Sequence, residues 1–359
     1  LFHGKPRDVF KELSQAYEVQ GVYTNHDYEP YAKERDMEMA SLFEESNIDF
    51  KTYKDQVIFE KDEVVKDDGK PYVVYTPFKN KWKSLFNAKH LSIHDTREYM
   101  DNLIADSNLP NVPLLNMGFE PSEIKVPDYT ATSTLINNYE DTRNFPAIKN
   151  GTSRLGPHLR FGTVSVREMM KKAIAEENDV FWSELIWREF FMQILWHFPH
   201  TKEKAFRPKY DRIDWRNDEA EFEKWKSGMT GYALVDAGMR ELNATGYMHN
   251  RVRMLVASFL CKHLLIDWRW GETYFAEKLL DYDMSANVGN WQWAAGSGVD
   301  AAPYFRIFNP MTQVDKFDKQ KEYINTWVPD LQELTYPEKM VDHKMARERC
   351  LKTYKSAVA

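Results

Sequence analysis

The chain has 359 residues, 43% hydrophobic and 29% charged, with a formal net charge of −7, which is enough length for a large core and two domains. No run approaches the ~18 apolar residues of a membrane span, and the two isolated cysteines, Cys261 and Cys350, exclude a disulfide framework and a thiolate zinc site. Charge is uneven, roughly −8 over residues 1–150 and roughly +1 over residues 151–359, so the second part is free to present a local basic face despite the acidic total.

The first hundred residues alternate between strand and helix patterns. "VQGVYT" (residues 19–24) predicts a buried strand, and "EPYAKERDMEMASLFEESN" (residues 29–47) a helix with Pro30 in its first turn. "IDFKTY", "DQVIFE" and "YVVYT" predict further strands. This is part of an α/β layer with too few strands for a complete doubly wound sheet, so the expectation is a truncated α/β domain over residues 1–104. Residues 105–138 are rich in Pro, Ser, Thr and Asn without a sustained period, and read as an interdomain connection. From residue 139 to 359 the apolar positions recur at three-to-four spacing, which predicts an all-α domain.

Four stretches of that helical half carry chemistry. In "NGTSRLGPHLRFG", Thr152, Ser153, Arg154, Leu155 and Gly156 offer hydroxyls, backbone N–H groups and a guanidinium suited to a diphosphate at a helix start. In "SELIWREFF", Glu184, Trp187 and Arg188 share one helix face, able to hydrogen-bond, stack and pair with phosphate. In "GYMHNRVRM", Asn250, Arg253 and Met254 repeat that spacing, with Arg251 elsewhere on the turn. The fourth stretch, "LLDYDMSANVGNWQWAAGSG", sets the carboxylates of Asp281 and Asp283 beside small residues that admit a planar ligand, with Asn287 offering an amide. No His or third acid stands at ligand spacing to those carboxylates, so no metal is expected. Trp291 and Trp293 would point to different faces if this stretch is helical and to one face if it is a strand.

Taken together, "GTSRLGPHLRFG", "ELIWREFF", "TGYALVDAGMRELNATGYMHNRVRM", "LLIDWRWGETYF" and "NWQWAAGSGVDAAPYFRIFNPMTQ" strongly resemble the photolyase/cryptochrome family, most closely the class I photolyases that repair cyclobutane pyrimidine dimers. The resemblance implies an N-terminal α/β domain, a helical domain that holds FAD, and light-driven repair of damaged DNA. It implies that Tyr139 and Thr152–Gly156 hold the FAD phosphates, that Asp281, Tyr282 and Asp283 line its ribose and ring, and that Asn287 faces its reactive ring nitrogen. Glu184, Trp187, Asn250, Met254 and Trp293 would line the lesion pocket, and Arg143, Arg188, Arg251, Arg253, Arg306 and Gln313 would contact the DNA strand. Trp291, Trp268 and Trp215 match the family's electron chain from flavin to surface. The family's folate-antenna Asn-Glu pair is absent from "YEPYAKERD", so the second chromophore stays unassigned. A monomer working in a bacterial cytosol is the accompanying expectation. The alternative is a cryptochrome, a blue-light receptor with the same flavin site and no repair. Asn287, Trp187 and Met254 weigh against it.

Overall fold

The computed structural model describes residues 1–92, 95–105, 110–176 and 178–359. The first of its two strands, β1 (Gly21–Asn25), pairs in parallel with β2 (Asp49–Tyr53), Gly21 opposite Asp49 and Asn25 opposite Tyr53. The helix Pro30–Glu45 makes the crossover, as a parallel pair requires. Met39, Leu42 and Phe43 from that helix pack on Phe10, Val22, Ile48 and Phe50. β1 is half-buried rather than buried, with Tyr23 64% exposed.

Two expected strands do not form. At "DQVIFE" the N–H groups of Ile58 and Phe59 donate to the Glu189 carboxylate, at 2.6 and 3.3 Å, not to a neighbouring strand. At "YVVYT" a helix, Tyr75–Leu85, begins instead. Pro77 lacks the N–H that a sheet ladder needs, whereas a first helical turn leaves its N–H groups unpaired anyway.

One apolar cluster spans residue 104. Ile58, Phe59, Tyr75, Phe78 and Trp82 share one apolar cluster with Met169, Phe181, Ile186 and Phe190 of the helical half. Among its described residues the connecting segment holds a 3-10 turn, Leu114–Met117, and then a short helix, Ser133–Asn137, whose Leu135 and Ile136 join that cluster.

Beyond residue 139 the fold is helical. The helix Asp179–His197 is capped by Asn178, whose side chain accepts from the Val180 N–H at 2.8 Å. It is apolar on nearly every side, as befits a helix buried in a large core. The helix Ala233–Thr245 ends at Gly246, whose φ of 67° is the left-handed conformation that closes helices. Asn250–Ser258 runs into a wide π-turn, Phe259–Leu264, where the sequence pattern shows one continuous helix. Trp268–Lys278 and Met284–Ala295 pack face to face, and a β-carbon at Gly271 would lie 2.1 Å from Trp291 Cη2. The last helix, His343–Val358, docks through Cys350 and Tyr354. Among the described residues no helix is long and apolar enough to cross a membrane.

Candidate flavin and lesion site

Three helices and one turn converge on a cavity holding about 590 Å³ of empty space, its mouth included. Asn250, Arg253 and Met254 enter from Asn250–Ser258, and Phe275 enters from Trp268–Lys278. The turn brings Asp281, Tyr282 and Asp283, and Met284–Ala295 brings Asn287, Trp291 and Trp293. Nine of the residues singled out in the sequence therefore meet in one place. Because their segment is helical, the two indoles part: Trp291 is 2% exposed and packs on Phe275 (5.0 Å) and Trp225 (6.1 Å), while Trp293 stays half-buried.

Electrostatics define the inner wall. Arg253 grips Asp281 with both terminal nitrogens, at 3.0 and 2.9 Å. The Thr152–Gly156 loop abuts this pair, and a β-carbon at Gly156 would lie 2.5 Å from Asp281 Oδ2. Arg154 holds a left-handed φ of 55°, and its guanidinium, like that of Arg253, lies over the Tyr247 ring. His249 caps the Asn250–Ser258 helix, its Nδ1 accepting from the Arg251 N–H at 3.1 Å. The proton of the neutral ring then sits on Nε2, which is buried and has no partner among the described residues. Burial, and then Arg253, Arg251, Arg143 and Arg154, push the His249 pKa down to about 4. Four guanidiniums around a neutral imidazole, a glycine contact too close for any side chain, and a cavity lined by Tyr282, Trp291 and Trp293 suit a large, anionic, aromatic ligand.

Asn287 donates through Nδ2 to the carboxylate (3.0 Å) and the backbone carbonyl (3.1 Å) of Glu272, which leaves the carbonyl end of its amide for a ligand. Burial pushes the Glu272 carboxyl up, and the Asn287 N–H partly offsets this. Sequence reading missed Glu272, Tyr247 and Phe275. Glu272 lies 15 residues from Asn287, beyond any local period, and the phenylalanine is indistinguishable from core.

The remaining residues frame the site less directly. Arg143 forms an ion pair with Glu184, and Tyr139, edge-on to Phe181, lies close enough to feel both charges. Trp187 lies flat on Tyr75, ring centroids 3.6 Å apart, with Phe191 at 5.6 Å, so much of its surface is already covered. Arg251 bonds Asn144 and lies over the Phe317 ring at 4.4 Å, beside the helix Pro310–Phe317 that carries Gln313. Arg306 is exposed but joins no cluster through its side chain among the described residues. Trp268 is buried in the core of Trp291, and Trp215 meets Tyr354 edge-on at 6.0 Å near the surface.

Two expected strand contacts have partners inside the protein. Arg188 donates to the Gln56 carbonyl inside the junction of the two halves. Arg253 is committed to Asp281 and to the Met248 carbonyl, the latter at 2.7 Å. Arg253 thus has all three guanidinium nitrogens engaged, and Arg188 has one.

Comparison with known proteins identifies the family. Residues 181–335 match the model of the FAD binding domain of DNA photolyase, and residues 1–97 match that of DNA photolyase. The chain belongs to the DNA photolyase family. It is 36% identical over 400 residues to the deoxyribodipyrimidine photo-lyase of Halobacterium salinarum, covering 99% of this chain and 82% of that one. Its fold is similar to the crystal structure of a bacterial class III photolyase from Agrobacterium tumefaciens, with a TM-score of 0.85, 34% identity, and coverage of 99% and 83%. It is similar to a Synechocystis cryptochrome with a TM-score of 0.81, 25% identity, and coverage of 98% and 82%. The curated relatives carry the photo-lyase name, and the cryptochrome is the more distant of these three.

Proposed function

We propose that this chain repairs cyclobutane pyrimidine dimers in DNA with light absorbed by FAD bound in the cavity. The observation that carries the reading is the convergence of the phosphate-type loop, the Asp281–Asp283 turn, and the helices of Asn250 and Asn287 on one wall. Thr152–Gly156 and Tyr139 serve the diphosphate end, Asp281, Tyr282 and Asp283 serve the ribose and ring, and the free amide oxygen of Asn287 meets the ring edge. When bound and reduced, FAD supplies the photoexcited electron that opens the cyclobutane ring and takes that electron back afterwards.

The side chains do the positioning. Photolyases are among the enzymes known to act on an extruded base, so the lesion is taken to leave the stack. Glu184, paired with Arg143, would accept from a ring N–H of the lesion and so hold it in register. Asn250, Met254 and Trp293 form the mouth, and Trp187 offers the surface that Tyr75 leaves uncovered. Arg143, Arg251, Arg306 and Gln313 serve the sugar–phosphate strand, fixing register without reading sequence. Trp291, Trp268 and Trp215 serve as the route by which electrons enter from the surface, with the enzyme working as a monomer in the cytosol. Dark binding tests the reading: the FAD-loaded protein should retain an oligonucleotide with one thymine dimer far better than its undamaged twin. Equal retention of both contradicts it.

A further inference from the structure

The floor of the cavity is fastened from the far end of the chain. Glu29 stands where the β1 crossover enters the Pro30–Glu45 helix, its N–H held by the Asp27 carboxylate at 3.0 Å. Its Oε1 accepts from the Met284 N–H at 3.4 Å, 255 residues away, and pairs with Arg160 at 3.0 Å. Arg160, at the end of the short helix Gly156–Arg160, also approaches Asp283 at 3.6 Å. Asp283 caps the Met284–Ala295 helix, accepting from the Ala286 N–H at 3.0 Å and from the Ser285 hydroxyl. One guanidinium is thus shared by two carboxylates, and both carboxylates sit on the N-terminus of the helix that carries Asn287, Trp291 and Trp293. The three side chains are only 13–24% exposed.

Each part of the arrangement has a physical reason. Negative charge at a helix N-terminus is favourable, and a carboxylate accepting a backbone N–H there forms a charge-assisted bond. Two carboxylates that close would repel unless a cation stood between them, and Arg160 is that cation. Burial pushes the Glu29 carboxyl up, Arg160 pulls it back, and Asp27 and Asp283 push it up again. Glu29 lines no part of the cavity, so any effect it has must pass through Asp283 and the helix.

We infer that Glu29, acting through Arg160, is a positioning residue of the flavin pocket, by which the N-terminal α/β unit sets the place of Asp283 and of the Met284–Ala295 helix. The inference rests on the reading of the cavity as the FAD site. It follows that disturbing the α/β unit at this one point loosens the cofactor, although no described residue of that unit lines the cavity.

The test is FAD affinity, followed by flavin fluorescence quenching on titrating FAD into flavin-stripped protein, together with the visible circular dichroism of the bound flavin. Glu29→Ala and Arg160→Ala should each weaken binding about tenfold, the scale of a lost charge-assisted bond. The double variant should be little worse than either single one. Glu29→Gln, which keeps an acceptor for the Met284 N–H, should lose less and guards against a misfolded alanine variant. Arg167→Ala serves as the control, because Arg167 also bridges the two halves, through the Asp55 carbonyl at 2.7 Å, but lies away from the cavity. It should bind FAD as the parent does. Parent-like affinity and dichroism in Glu29→Ala and Arg160→Ala, or an equal loss in Arg167→Ala, overturns the inference. A parent chain that binds no FAD overturns the pocket reading itself, and the inference with it.

Discussion

Arg253 and Asp281 form a two-pronged ion pair, 2.9 and 3.0 Å, at the meeting point of the Asn250–Ser258 helix, the phosphate-type loop and the turn before the Met284–Ala295 helix. Both partners are mostly out of water, with side chains 23% and 13% exposed. A pair so placed fixes geometry more than it adds net stability, yet removing one partner strands the other's charge. Asp281→Ala should therefore lower the free energy of unfolding by about 3 kcal/mol, read from urea denaturation. It should also release FAD.

Gly271 lets the Trp268–Lys278 helix lie against the ring of Trp291. Any β-carbon there would meet the indole at 2.1 Å. Gly271→Ala should cost about 1–3 kcal/mol by overpacking, despite the helix propensity it gains. The same denaturation measurement checks it, and a shifted tryptophan emission would locate the strain at Trp291.

His249 gives stability a pH dependence of definite sign. Its folded pKa is pushed down to about 4 by burial and by surrounding arginines, against an ordinary value of 6.5. The unfolded chain then binds the proton more readily between those two values. The contribution is intact above pH 6.5 and is lost as pH falls towards 4. His249→Asn keeps a helix cap but does not titrate. The unfolding free energy of the parent minus that of the variant should fall steadily from pH 7 to pH 4, measured by urea denaturation across that range. A flat difference would mean that the imidazole is not buried neutral.

Trp215 and Trp187 separate two activities. Trp215→Phe should slow photoreduction of the bound flavin while leaving repair by chemically reduced protein near the parent rate, read by absorbance under illumination. Trp187→Ala should weaken binding of dimer-containing DNA more than binding of undamaged DNA. It should also cost stability, because it unstacks Tyr75. Trp187→Phe retains part of that stack and isolates the effect on recognition.

Binding to DNA should weaken with salt in proportion to the phosphates neutralised. Replacing Arg251 or Arg306 by alanine should make the slope of log affinity against log salt shallower by about one unit each. Arg253→Ala should not make the slope shallower in this way, because its three nitrogens are engaged by Asp281 and the Met248 carbonyl.

The helical half was legible in the sequence because its signals are local: apolar periodicity, the Gly246 stop, and clustered chemistry in four short stretches. Two of those stretches line the cavity, and the Gly156 loop abuts it at Asp281. What the sequence hid depends on distant partners. Glu189 takes the Ile58 and Phe59 N–H groups and turns an apparent strand into a loop. Glu272 holds Asn287, and Glu29 reaches Met284, without any spacing to announce them. The resemblance gave Arg188 and Arg253 as strand contacts, and no local spacing reveals that their inner partners are the Gln56 carbonyl and Asp281.

The central claim is tested most directly by illuminating the reduced, FAD-loaded protein with a thymine-dimer oligonucleotide and counting dimers by chromatography. Dimers should disappear under near-ultraviolet or blue light, persist in the dark, and disappear more slowly with Glu184→Ala. Dimers that survive illumination, or that vanish equally in the dark, would contradict the assignment.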